Sequence, residues 1–291
     1  MAIQTELQAA QTSRLDTTNG EANGEANGHA EHQADDVRVS DYSEWKPQDY
    51  LSEYYGEVMP DEHFAMEFLV ESLRHVAPVA VALEFGCGPT IHHSLPMATV
   101  AGEIHMAEYL ENNRAQIQQW LDRDSQAFDW THFGAETLEL EGNSAPTAAQ
   151  IEERERLLRE KVTQVVPGDA FDADPLGEQK RGFYPLVASH YCAEGCTTDK
   201  EEWRVCMSHI AGLVAPGGVW ILSACGASNA YAVGERYFPC AGINEFDVLS
   251  SLQENGFTDI DLRVRQVPGH ADQGFSSVVF ARAVKGAAVA A

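Results

Sequence analysis

Basic side chains are scarce in this sequence. Lys and Arg number 19 against 45 Asp and Glu, a formal net charge of −26. A field of that sign repels phosphate backbones, and no local cluster of Lys and Arg overturns it, which argues against a nucleic-acid partner. It favours a cationic ligand only mildly, because salt screens it. Long apolar runs are lacking too. No stretch approaches the ~18 residues of a membrane span, and the polar first fifteen residues lack the apolar run of a secretory signal. Cysteines are few for 291 residues: Cys87, Cys192, Cys196, Cys206, Cys225 and Cys240, mostly within apolar stretches. They read as free buried thiols, with a cytoplasmic location as the corollary. Cys192 and Cys196 have no second pair to complete a zinc site. His92 and His93, as consecutive residues, are expected to face different ways, so no metal is expected.

Several segments are nevertheless well marked. Residues 1–38 hold the near-repeat NGEANGEANGHA, with many acids and no apolar period, and read as a disordered acidic tail. Residues 39–78 form an N-terminal helical region. There Phe64, Phe68, Leu69, Leu73 and Val76 recur at helical spacing, with Asp61 as the cap and Pro78 as the stop. From 79 to 285, short apolar runs alternate with helical stretches, the pattern of βαβ units around a mostly parallel sheet. Strands are expected at 79–86, 103–108, 162–169, 184–191 and 219–225, and helices at 112–124, 148–160, 200–214 and 244–254. The segments DIDLRVRQVPG and GFSSVVFARAV read as a closing antiparallel pair, with a short tail at 286–291. Ligands of such sheets bind at the carboxyl ends of the parallel strands.

Chemistry concentrates at those ends. ALEFGCGPT runs a strand into Gly86-Cys87-Gly88, where missing side chains let the backbone turn tightly and approach a ligand. Glu108 follows Gly86 by 22 residues at the end of the second expected strand, placed to accept hydrogen bonds from ribose hydroxyls. Asp169 ends the third, where a carboxylate suits an exocyclic amine of adenine. These positions fit a dinucleotide or a nucleoside cofactor. A dinucleotide site wants a third glycine beneath the pyrophosphate, and Ile91 stands in its place. A cofactor without phosphates remains compatible.

The ordered set KPQDYLSEYY, LEFGCGPTIHH, EYLENN, QAFDW, DADPLG, APGGVWIL and YAVGE resembles the nicotinamide, phenylethanolamine and indolethylamine (thioether) N-methyltransferases. These are class I S-adenosylmethionine-dependent enzymes, and the resemblance runs from about Tyr42 to Ala283. It implies a Rossmann-like fold: a mostly parallel seven-stranded sheet with one antiparallel strand, helices on both faces and an N-terminal helical lid. It also implies S-adenosyl-L-methionine as cofactor, a small-molecule substrate and a monomer.

By motif position, Tyr50, Tyr55, Gly86, Cys87, Gly88, Thr90 and His92 would touch the cofactor, with Glu108 and Asn113 at its ribose and carboxylate. Tyr109 would stack on the adenine, Asp169 and Ala170 would read its edge, and His190 would lie near the sulfonium. Tyr54, Glu194, Ser228 and Tyr231 would face the substrate, and Glu194, His190 and Tyr50 are the acid/base candidates. Glu108 replaces the Asp usual at the ribose. Ala224, assigned to the start of the loop after the fifth strand, replaces the Asp of the nicotinamide enzymes, which argues against nicotinamide. The leading expectation is N-methylation of a small amine by in-line displacement. The alternatives are methylation of an electron-rich ring carbon, such as an indole in specialised metabolism, and a non-catalytic cofactor-binding protein.

Overall fold

The computed structural model describes residues 40–287. The tail expected at 1–38, and the last four residues of the one expected at 286–291, lie outside them. Two helices open the described chain, α1 (Pro47–Tyr54) and α2 (Pro60–Leu73). The α/β part follows as β1 (Val79–Phe85), α3 (Ser94–Met97), β2 (Ala101–Ala107), α4 (Glu111–Leu121), α5 (Thr131–Leu140), α6 (Ala148–Lys161) and β3 (Val162–Val166). Then come β4 (Tyr184–His190), α7 (Lys200–Ala211), β5 (Val214–Gly226), the hairpin strands β6 (Ala230–Val233) and β7 (Arg236–Pro239), α8 (Glu245–Glu254), β8 (Phe257–Gln266) and β9 (Ser277–Lys285).

Seven strands form one sheet in the order β3-β2-β1-β4-β5-β9-β8. β1 pairs in parallel with β2 and β4, and β4 with β5, whereas β9 runs antiparallel to both β5 and β8. Chain order reverses between β1 and β4, so a crevice opens at their carboxyl ends. Strand periodicity builds two cores. Ala82, Leu186, Ala188 and Ile221 join α2 and α4–α6 on one face. Leu83, Phe85, Val187 and Leu222 join α7 and α8 on the other.

Several expected boundaries shift for local reasons. α2 starts at Pro60, with Met59 as its N-cap and no side-chain capping bond. Proline suits the first helical position, whose N–H would go unbonded anyway. Asp61 is therefore inside the helix rather than its cap, and it pairs with His270 at 2.8 Å. The helix ends at Leu73, before Pro78 is reached. β3 stops at Val166, ahead of Pro167, which cannot donate to a ladder. Asp169 thus lies in a turn beyond the strand. β5 begins at Val214, and Ala224 lies inside it rather than in the following loop. α5 and the β6–β7 hairpin have no counterpart in the sequence expectations.

Candidate active site

The crevice is a cavity of about 240 Å³ over the carboxyl ends of β1, β2 and β4. Gly86 and Gly88 both have positive φ, +70° and +61°, the left-handed region that favours glycine. Their roles differ. A Cβ on Gly86 would overlap Cys192, lying 2.7 Å from its Cβ, whereas one on Gly88 would meet nothing within 4 Å. Gly86 thus makes room for the protein's own Cys192, and Gly88 holds space open on the cavity side. Cys87 and Thr90 also line the cavity. The Thr90 hydroxyl donates to the Cys87 carbonyl at 2.8 Å, locking the turn.

Glu108 is the best-anchored side chain in the crevice. Its carboxylate accepts from the Gly88 N–H (3.0 Å), the Leu110 N–H (2.9 Å) and Asn113 Nδ2 (3.0 Å). Burial raises its pKa, and these three donors oppose the rise. Asn113 is held in turn by Trp45 Nε1, which donates to its Oδ1 at 2.8 Å. Asn113 therefore orients Glu108 and ties the N-terminal segment to the strand ends. Asp169 accepts from the Phe171 N–H at 2.9 Å, so it shapes its turn and lines the cavity at once. Ala170 lines it beside Asp169, and Tyr109 and Phe171 form an exposed aromatic rim. Among the described residues, no Lys or Arg lines the cavity. That donor set fits a nucleoside carrying a sulfonium and does not fit a pyrophosphate.

A smaller alcove of about 40 Å³ opens beside this cavity and shares Tyr50, Tyr55, Tyr191, Gly195 and Tyr231 with it. Tyr54, Asp61, Glu62, Glu194, Cys225 and Cys240 line the alcove alone. Glu194 is 3% exposed and accepts from the Cys225 N–H at 2.9 Å. Burial pushes its carboxyl up to about 7, with the Cys225 N–H only partly opposing. The phenols form a hydrogen-bonded wall: Tyr50 with Tyr55 at 3.0 Å, Tyr42 with Tyr231 at 3.0 Å, and Tyr54 donating to the Ala232 carbonyl at 2.6 Å. Burial raises the Tyr50 phenol far above its ordinary range, so it is no base near neutral pH. His190 lines the larger cavity and shares a 2.8 Å hydrogen bond through Nδ1 with Ser223. Burial lowers its pKa well below the ordinary value, leaving the imidazole neutral.

Most of the residues picked from the sequence converge on these two cavities, and three do not. His92 lines neither; it is 0% exposed and stacks on Trp130 at 5.3 Å, while His93 takes the position on the cavity wall. Ser228 also lines neither, its hydroxyl donating to the Ala230 carbonyl at 2.7 Å. Ala224 is buried in the core between sheet and α7–α8, so it carries no argument about nicotinamide. His92 and His93 do not diverge as consecutive residues were expected to. Their rings lie 3.8 Å apart, and both reach Glu62 Oε2. Burial pushes the His92 imidazole down to about 4, and the His92 and His93 contacts overcome burial to hold the Glu62 carboxyl low.

The sequence reading missed Glu62, Tyr191 and Phe171. Tyr191, at the end of β4, has φ of +51°, a strained conformation for a non-glycine residue, and lines both cavities. No sequence signal marks that strain. Glu62 carried one faint signal, two acids directly after Pro60.

Comparison with known proteins agrees with this geometry. The chain is 30% identical over 202 residues to the phenylethanolamine N-methyltransferase of Rattus norvegicus, covering 68% of this chain and 69% of that protein. It is 26% identical over 223 residues to the nicotinamide N-methyltransferase of Homo sapiens, covering 74% and 83%. The solved structure of the CurJ carbon methyltransferase superposes with a TM-score of 0.50 at 14% identity, over 84% of this chain and 62% of that one, a likeness of fold alone. Residues 34–282 match the NNMT/PNMT/TEMT family, and the chain belongs to that family of S-adenosylmethionine-dependent N-methyltransferases.

Proposed function

We propose that the protein methylates the nitrogen of a small amine, with Glu194 receiving the amine in the alcove. The observation that carries this reading is a buried carboxylate in a cavity that opens on the cofactor crevice. When bound, S-adenosylmethionine supplies an electrophilic methyl on sulfur.

The chain's residues supply geometry and charge. Glu108 and the open face of Gly88 hold the nucleoside, with Asp169 and Ala170 at its base edge. The lid tyrosines Tyr50 and Tyr55 shut out water and set the two cavities in line. An ammonium entering the alcove gives a proton to Glu194, whose raised pKa suits it to take one near neutrality. The freed nitrogen lone pair then displaces sulfur from the methyl carbon in line, and the products are the N-methylated amine and the neutral thioether. His190, neutral and so without positive charge, faces the sulfonium without repelling it. Nothing in the site favours the ring-carbon alternative. Residues 39–78 act as the lid over a catalytic domain at 79–285. Six free thiols fit a reducing compartment, and the family resemblance carries the expectation of a monomer.

The test is methyl transfer from labelled S-adenosylmethionine to a panel of arylalkyl and alkyl amines, with NMR placing the new methyl. Transfer to nitrogen, weakened at least about tenfold by Glu194→Gln, supports the reading. Cofactor binding with no transfer to any amine refutes it, and a methyl on carbon moves the function to the ring-carbon class.

A further inference from the structure

Between the two cavities, and unused by the reaction above, Glu62, His92 and His93 form a knot of buried side chains. One ligating atom from each lies within 4.8 Å of the others. Nε2 of His92 is 3.0 Å, and Nε2 of His93 3.2 Å, from the same Glu62 Oε2. As a hydrogen-bonded cluster it is incomplete. His92 Nε2 bonds the carboxylate, but His93 Nε2, buried and 3.2 Å from the same oxygen, lacks the alignment of a hydrogen bond. Two imidazole nitrogens converging on one carboxylate oxygen is instead the arrangement of ligands around a common centre. Nitrogen and oxygen ligands about 2.0–2.1 Å from a tetrahedral ion stand about 3.3 Å apart. The two separations from Glu62 Oε2 need open by only a few tenths of an ångström.

We propose that Glu62, His92 and His93 form a mononuclear site for a divalent transition-metal ion of the Zn²⁺ class. Two imidazoles in a set of three disfavour Mg²⁺ and Ca²⁺, which take oxygen ligands. A second carboxylate stands nearby: Glu84 Oε1 lies 3.8 Å from His93 Nδ1, beyond hydrogen-bond range, and its other oxygen is bonded by the Ser94 hydroxyl. A shift of under an ångström would bring it to the place from which carboxylates orient metal-binding histidines. Charge balance points the same way. Glu62 is buried, and its ion-pair partners among the described residues are histidines, with no Lys or Arg. A dication would compensate what the imidazoles leave. Glu62 comes from the first turn of α2 and the histidines from the turn after β1, so the ion would clamp the N-terminal helices to the cofactor turn.

The experiment uses the full chain, freed of any affinity tag and stripped with chelator, then titrated with Zn²⁺ and Co²⁺. The expected result is one ion per chain, a raised Tm, and a visible Co²⁺ spectrum without a thiolate charge-transfer band. Glu62→Gln, His92→Ala and His93→Ala each weaken binding at least about tenfold, the lower range seen for disturbing even an outer partner. A native far-UV circular dichroism spectrum and a cooperative urea transition show that these variants are folded. If they do not fold, the wild-type Co²⁺ spectrum decides. Absence of stoichiometric binding, unchanged affinity in folded variants, or a thiolate band assigning the ion to Cys192, Cys196 and Cys206 overturns the proposal.

Discussion

Replacing Glu194 by Gln separates charge from shape. The side chain is 3% exposed, and its oxygen accepts the Cys225 N–H at 2.9 Å, a bond that a Gln carbonyl can keep. Burial lifts the carboxyl from its ordinary 4.5 to about 7. Between those values the folded chain keeps a proton that the unfolded chain has released, so stability falls as pH rises through that window. At 1.36 kcal/mol per pH unit the loss comes to about 3 kcal/mol. The Gln variant has no such proton and escapes it. It is therefore more stable than wild type by up to about 3 kcal/mol near pH 8, and the two converge below about pH 4.5.

Activity moves the opposite way. Wild-type kcat/KM rises with pH through about 7 as the carboxylate forms. The variant loses a charge-assisted contact of about 1.5–3 kcal/mol, roughly 10- to 150-fold near pH 8. The groups beside Glu194 titrate elsewhere: burial raises Cys225 and Tyr231 well above their ordinary values and Cys240 to about 12. Glu84, on the wall of the larger cavity, is also pushed up to about 7 by burial, so the difference between wild type and Glu194→Gln, not the wild-type profile alone, carries the share of Glu194. Urea unfolding and initial rates, each followed across pH for both proteins, test the two halves separately. Parallel stability–pH curves for wild type and variant would refute the reasoning, whatever the rates do.

Other substitutions probe the rest of the site. Glu108→Ala removes the acceptor of the Gly88, Leu110 and Asn113 donors and weakens S-adenosylhomocysteine binding by about 1–3 kcal/mol in calorimetry; unchanged affinity would remove Glu108 from the cofactor site. Gly86→Ala sets a Cβ into Cys192 at positive φ and destabilises by about 1–3 kcal/mol or more. Adding Cys192→Gly relieves the overlap and recovers part of the Tm, whereas no recovery would leave backbone strain as the whole cause. Trp45→Phe strands the buried Asn113 Oδ1, costing about 1–3 kcal/mol in urea unfolding, with a matching rise in cofactor Kd if Asn113 orients Glu108.

The sheet was legible where local and global signals agree. β1 and β4 are apolar runs buried on both faces and bounded by clear punctuation, so their limits were read to within a residue. α5 was invisible because Gly134 sits mid-helix and reads as a breaker. The structure gives that glycine a tertiary purpose, since a Cβ there would lie 2.7 Å from Ile151 Cγ2 of α6. The β6–β7 hairpin has strands of four residues each, too short for a period-2 pattern to register. In the site, the glycine turn and Glu108 were accessible because motif spacing carries them, and Glu194 only through the family resemblance. Glu62 was not. A first-turn acid ordinarily serves the helix dipole, and only the path of the chain after β1 brings two histidines onto it.

The two cavities draw on different parts of the chain. The donor crevice is built on the ends of β1, β2 and β4, while Tyr54, Glu62 and Cys240, which touch only the alcove, come from α1, α2 and the residue after β7. On the proposed assignment, acceptor choice can drift through Tyr54, Glu62 and Cys240 without disturbing the strand ends beneath the methyl donor, whereas Cys225, within β5, and Glu194, just after β4, belong to the sheet's own edge of the alcove. The limit on that freedom is the shared tyrosine partition. Tyr50, Tyr55, Tyr191 and Tyr231 answer to both occupants, so a new acceptor that demands a change there alters the hold on the donor as well, and thermodynamic reciprocity makes the penalty mutual.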